Sequence, residues 1–114
     1  MKNRKLSVLS LTKLKENLHY DPETGVFTRI KGNGRNVNIG DIAGSNRSGY
    51  VLIWVNNSPY QAHRLAWLYM MGVMPIEFID HINGDRSDNR FGNLREATHQ
   101  QKRQNITKPQ SNNT

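Results

Sequence analysis

The sequence contains no cysteine. Disulfides are therefore excluded, and so is any zinc site built on thiolates. Apolar residues are scarce, at 35% of 114, so much of the chain must lie at the surface, in loops or in arms. No apolar run approaches the ~20 residues that span a bilayer. The basic start Met1-Lys2-Asn3-Arg4-Lys5 is not followed by the apolar core of a signal peptide. A cytoplasmic protein without membrane contact is expected. Acidic residues are also few, nine Asp and Glu against sixteen Lys and Arg, which leaves a net charge of +7. Such a balance favours a polyanionic partner.

The charge is unevenly spread. Residues 1–36 carry a net +5, residues 37–76 a net +1 and residues 101–114 a net +3, whereas residues 77–100 carry −2. A basic body around a small acidic centre suits a protein that grips phosphates and places a cation among them. The acidic island contains Phe78-Ile79-Asp80-His81-Ile82-Asn83-Gly84-Asp85, then Asp88-Asn89-Arg90, then Asn93-Leu94-Arg95. An apolar strand-like run ends there in an Asp-His pair, and a polar loop follows. A carboxylate beside an imidazole at a strand end can bind a hard cation and activate water. Asp85 and Asp88 read as turn residues.

The pattern along the chain predicts several elements. Residues 1–9 form a basic arm, and residues 10–75 a mixed region. Ser10 or Thr12 caps a helix running to about His19, with Leu11, Leu14 and Leu18 on one face. Asp21-Pro22-Glu23-Thr24-Gly25 is a turn. Strands follow at Val26–Ile30, within Val37–Ala43, and at Gly49–Val55. Asn56-Asn57-Ser58 turns the last of these back into Tyr60–Ala62. His63–Met71 reads as a helix that Gly72 stops. Trp54, Trp67 and Tyr69 fit core positions better than base-stacking platforms. His19 reads as a helix-end residue and His63 as a structural hydrogen-bonder. Arg64 suits an acid or a phosphate equally. Residues 76–106 then run strand, loop, strand and helix, the helix from His99 to about Ile106. Residues 107–114 are a linker or frayed tail.

That final order is the order of a ββα-metal (His-Me) finger, and the series of motifs resembles phage-type HNH endonucleases of the zinc-less homing or free-standing class. The similarity covers roughly residues 14–106. It rests on Tyr20-Asp21-Pro22-Glu23-Thr24-Gly25-Val26-Phe27, Ala43-Gly44, Gly49-Tyr50, Ala62-His63-Arg64-Leu65-Ala66-Trp67, Asp80-His81-Ile82-Asn83-Gly84, Asp88-Asn89-Arg90, and Asn93-Leu94-Arg95-Glu96-Ala97-Thr98. A lone Asp-His pair carries little information; the whole ordered series is specific. It implies an α+β fold, with an N-terminal antiparallel sheet region and short helices leading into the C-terminal finger at 76–106.

The resemblance implies roles for matching residues. His81 takes the place of the general base and Asp80 that of a metal ligand for Mg²⁺ or Mn²⁺; structural zinc is not expected. Adjacent strand side chains point to opposite faces, so the two share a site only where the strand ends or bulges. Asn93 takes the middle position of the motif and suits holding His81 or the loop, and Asn89 is a loop brace. Arg86, Arg90, Arg95, Lys102 and Arg103 surround the site as DNA-contact candidates. The implied activity is hydrolysis of phosphodiesters in double-stranded DNA, nicking rather than double-strand cutting for a monomer, by a phage or prophage protein.

One position departs from the pattern. Where the family has asparagine or histidine on the final helix, this chain has Lys102, and a charged ammonium cannot ligate a metal. Asn105 or His99 could stand in on the same helix face, or Lys102 could contact the phosphate itself. The alternative is a weakened or inactive HNH scaffold that binds DNA without cutting it. Ser111-Asn112-Asn113-Thr114 also resembles the stretch that leads into an AP2-type DNA-binding module.

Overall fold

The structure, a computed structural model, describes residues 9–32 and 37–97. Residues 1–8 of the expected basic arm, residues 33–36, the expected final helix and the tail lie outside that range, whereas Leu9, expected in the arm, is buried in the core. Also outside that range lie the candidates His99, Lys102, Arg103 and Asn105.

Helix α1 (Leu11–Asn17) starts where Ser10 accepts a hydrogen bond from the Lys13 amide at 3.1 Å. It ends two residues before the expected stop. Leu18 is already extended and opens β1 (Leu18–Asp21), so His19 is an exposed strand residue opposite Thr28 rather than a helix end. Pairing with β2 (Val26–Arg29) outweighs helix extension here, because Leu18 and Tyr20 then bury on one face beside Phe27. The turn between these strands is tied by the Gly25 amide to the Asp21 carbonyl at 2.7 Å and by the Glu23 amide to Asp21 Oδ1 at 2.9 Å. Gly25 has φ +77°, as the turn requires.

The predicted strand within 37–43 shrinks to β3 (Ile42–Ala43), which completes a three-stranded antiparallel sheet with β1 and β2. A second three-stranded antiparallel sheet follows, from β4 (Ser45–Arg47), β5 (Tyr50–Val55) and β6 (Ser58–Gln61). Both of its hairpins turn through two residues of positive φ, Ser48-Gly49 and Asn56-Asn57. That turn geometry matches the natural strand twist. Strand β4 has no apolar alternation, so periodicity could not reveal it.

Helix α2 (Ala62–Met71) buries Ala62, Leu65, Ala66 and Leu68 and ends at Gly72, whose φ of +86° forms a left-handed cap to the Leu68 carbonyl. It packs on α1, β5 and β6, and with Leu14, Leu18, Tyr20, Phe27, Ile53 and Val55 it makes one core. Tyr69 meets the Tyr20 and Phe27 rings, and Trp67 meets Phe91, so these two aromatics are packing groups. Trp54 is not: it is 56% exposed, because Ile53 and Val55 take the inward face of β5 and leave Trp54 on the other.

The chain closes with β7 (Phe78–His81) and β8 (Leu94–Ala97), a two-stranded antiparallel ribbon that shares Ile79 and Leu94 with the core. Between them runs a loop that ends in a short 3-10 turn (Phe91–Asn93). No helix among the described residues is long and apolar enough to cross a membrane. Mixed helices and antiparallel sheets make this an α+β fold.

Candidate active site

Strand β7 delivers the Asp-His pair. Burial alternates along it, with Ile79 and His81 inward and Phe78 and Asp80 outward. The strand ends at His81 itself.

His81 is 6% exposed and is held on two sides. Its Nε2 lies 2.8 Å from Asn89 Oδ1. A carboxamide oxygen carries no hydrogen, so Nε2 donates and the neutral ring keeps its lone pair on Nδ1. On another side the His63 ring meets it edge-on at 4.8 Å between centroids, and Tyr50 lies 6.4 Å away. His63, at the start of α2, is thus buried against the Asp-His pair rather than remote from it. Periodicity showed an apolar helix face here and not which strand it would meet.

The loop is cross-braced through Asn93. Its Nδ2 donates to Asn83 Oδ1 at 3.0 Å and to the Asp88 carbonyl at 2.9 Å. Its Oδ1 accepts from the Asn83 amide at 3.0 Å, and its carbonyl from the Ile82 amide at 2.8 Å. Asn93 therefore holds the loop, while Asn89 holds the imidazole. The sequence pattern had offered His81 or the loop for Asn93, and only bracing for Asn89.

Asp85 and Asp88 are turn residues in the structure. Asp85 accepts from the Ser87 hydroxyl and amide, which keep its carboxyl below the ordinary range. Asp88 takes both arms of Arg90 at 2.8 and 2.6 Å, and Asn83 adds a third hydrogen bond. The Arg90 guanidinium above all holds the Asp88 carboxyl far below the usual carboxylate range. Arg95 approaches Asp80 more loosely, at 3.4 Å across the β7–β8 pair. Arg64 donates to the Pro75 carbonyl at 3.2 Å, a structural role that neither of its two expected partners matches.

The N-terminal hairpin also grips the loop. The Tyr20 hydroxyl donates to the Asn89 carbonyl, and the Phe91 amide to the Pro22 carbonyl at 3.1 Å. Burial first, and the nearby Asp21 and Asp88 charges second, push the Tyr20 phenol well above its ordinary value, so it remains a donor. Gly25 comes so close that an added Cβ would sit 2.4 Å from the Asn89 and Arg90 backbone. The resemblance joined these segments in one series without showing that they touch.

Among the described residues, no group of three or more His, Asp or Glu side chains could hold a metal ion. What is present is one outward carboxylate, Asp80, in a loose ion pair. Mg²⁺ is commonly held by one or two carboxylates together with waters and substrate phosphates, so this donor fits a cation shared with a bound phosphate.

Two comparisons with known proteins find similarity over this region. The family model described as HNH endonuclease matches residues 60–104, the span from the end of β6 through the Asp-His strand and beyond the loop. Over that span the chain is similar to the HNH endonuclease family. A solved structure of DNA binding and cleavage by the HNH homing endonuclease I-HmuI has a similar fold, with a TM-score of 0.61 at 20% identity. The similarity covers 85% of this chain and 55% of that one, so this chain spans little more than half the length of that protein. No curated protein matches the sequence significantly.

Proposed function

We propose that this protein is a divalent-metal-dependent DNA endonuclease in which His81 is the general base. The observation that carries this reading is the 2.8 Å contact between His81 Nε2 and Asn89 Oδ1: an Nε2 that donates there leaves Nδ1 to take a proton from water. The imidazole is also prevented from swinging, because His63 and Tyr50 pack around it. Histidine is the side chain most often used as a general base.

Asp80 would hold Mg²⁺ or Mn²⁺, with Asn105 or His99 as the candidate further ligand. When bound, the cation would stabilise charge on the scissile phosphate and the leaving oxygen. His81 withdraws a proton from water as its oxygen bonds to phosphorus, and the P–O bond to the leaving strand breaks. Asn89 steadies the imidazolium that forms by keeping its acceptor in place. Asn93 keeps the loop, and hence Asn89, in register. Double-stranded DNA is the proposed substrate, nicked by a monomer, with the basic N-terminal region adding phosphate contacts and the cytoplasm as the site of action.

A supercoiled plasmid incubated with Mg²⁺, Mn²⁺ or EDTA tests this. Metal-dependent conversion to the open circle is expected. Tight, salt-sensitive DNA binding with no conversion in either metal would favour the alternative, a silent HNH scaffold in which Lys102 has displaced the third ligand.

A further inference from the structure

Three arginines on the described part of the site could meet a phosphate, and they are not equivalent. Arg90 is neutralised by both oxygens of Asp88. Arg95 faces Asp80. Arg86, at the tip of the loop, has no carboxylate within ion-pair distance among the described residues, yet it is not loose. Its guanidinium carbon lies 4.7 Å over the centre of the Tyr50 ring. Its terminal nitrogen also passes so close to Gly49 that a Cβ there would be 2.6 Å away.

The seat is built by the N-terminal sheet. Gly49 takes φ +89° in the β4–β5 turn, and Asn46 Oδ1 accepts its amide hydrogen at 3.0 Å. This fixes the turn and places Tyr50 at the start of β5. The Tyr50 ring lies beside His63 at 5.6 Å and His81 at 6.4 Å. Arg86 and His81 therefore flank one aromatic ring. A planar cation stacked on a ring is fixed in position while its N–H edge remains available to an anion. Ion pairing, as in Arg90, fixes a guanidinium but spends its charge.

We propose that Arg86 is a phosphate ligand of the bound DNA strand, and that Tyr50 and Gly49 hold it beside His81. This rests on the nuclease reading for its location, not for its test. Tyr50 is a positioning residue: it acts on the phosphate through Arg86. The arrangement also assigns a task to the sheet, which presents the one unneutralised arginine of the described site to the substrate.

The test is binding of the full chain to a labelled mixed-sequence DNA duplex in EDTA, over a series of KCl concentrations. Each phosphate contact contributes about 0.9 to the slope of log K against log salt. Arg86→Ala is expected to lower that slope by about 1. Tyr50→Leu is expected to weaken binding, with Tyr50→Phe, which keeps the ring face, restoring it. A purely structural Arg86 would change thermal stability and leave the slope alone. An unchanged slope for Arg86→Ala overturns the phosphate contact, and equal binding by Tyr50→Leu and Tyr50→Phe overturns the seat. These results need no turnover. Metal-dependent nicking with an unchanged slope would defeat only the Arg86 proposal, whereas a lowered slope without nicking would defeat only the nuclease reading.

Discussion

Gly25 joins the N-terminal hairpin to the active-site loop, and replacing it should be costly for two separable reasons. Its φ of +77° lies in the left-handed region, where a side chain costs about 1–2 kcal/mol. An added methyl would also meet the Asn89 and Arg90 backbone at 2.4 Å. Backbone cannot swing aside as a flexible side chain can, so relief requires separating the hairpin from the loop. Overpacking of this kind costs typically 1–3 kcal/mol. Gly25→Ala should therefore lose about 2–5 kcal/mol, a large part of the 5–15 kcal/mol typical of a domain. At roughly 4 °C per kcal/mol for a chain of this size, the melting temperature should fall by about 8–20 °C. Gly84→Ala is the control. Its φ of +82° imposes the same conformational strain, but nothing lies within 4 Å of the added methyl. Thermal denaturation of both variants isolates the contact term. Equal melting temperatures for the two would refute the close approach of hairpin and loop.

Other expectations follow from the same geometry. Asn89→Ala removes the acceptor for His81 Nε2 and should slow nicking about 10–100-fold, by analogy with partners that orient metal-bound histidines; a variant cutting at the parent rate would show that the ring needs no such anchor. Asp88 is depressed by Arg90, so its contribution to stability is complete above the unfolded value of about 3.9 and is lost as pH falls through the lower folded value. Asp88→Asn should accordingly flatten the acid limb of stability below about pH 5, as urea unfolding over a pH series would show. Lys102→Asn restores the family residue and should raise nicking if the lysine is a defect; reduced nicking would give the lysine a role of its own.

Much of the α+β fold was legible because its signals are local. The Asp-Pro-Glu-Thr-Gly turn, the Asn-Asn hairpin, the α2 helix and its Gly72 stop all depend on neighbours in sequence. Strand β4 was not, since Ser45-Asn46-Arg47 is exposed throughout and gains its pairing only from β5. His19 was misplaced because a helix-compatible run was claimed by β2. Trp54 was misplaced because strand spacing does not state which face is inward. At the site, residue types suggested the Asp-His chemistry, but the division between Asn89 and Asn93 depends on how the loop folds back. The placement of Arg86 over Tyr50, across 36 positions of sequence, needed the packing of sheet against loop.

The central claim is that His81 is the base and not a structural histidine. It is tested most directly by nicking and DNA binding measured together for the parent and His81→Ala, in Mg²⁺ and in EDTA. Metal-dependent nicking by the parent, its loss in the variant, and nearly unchanged affinity for DNA are expected. A His81→Ala protein that is folded and nicks plasmid as fast as the parent would contradict it.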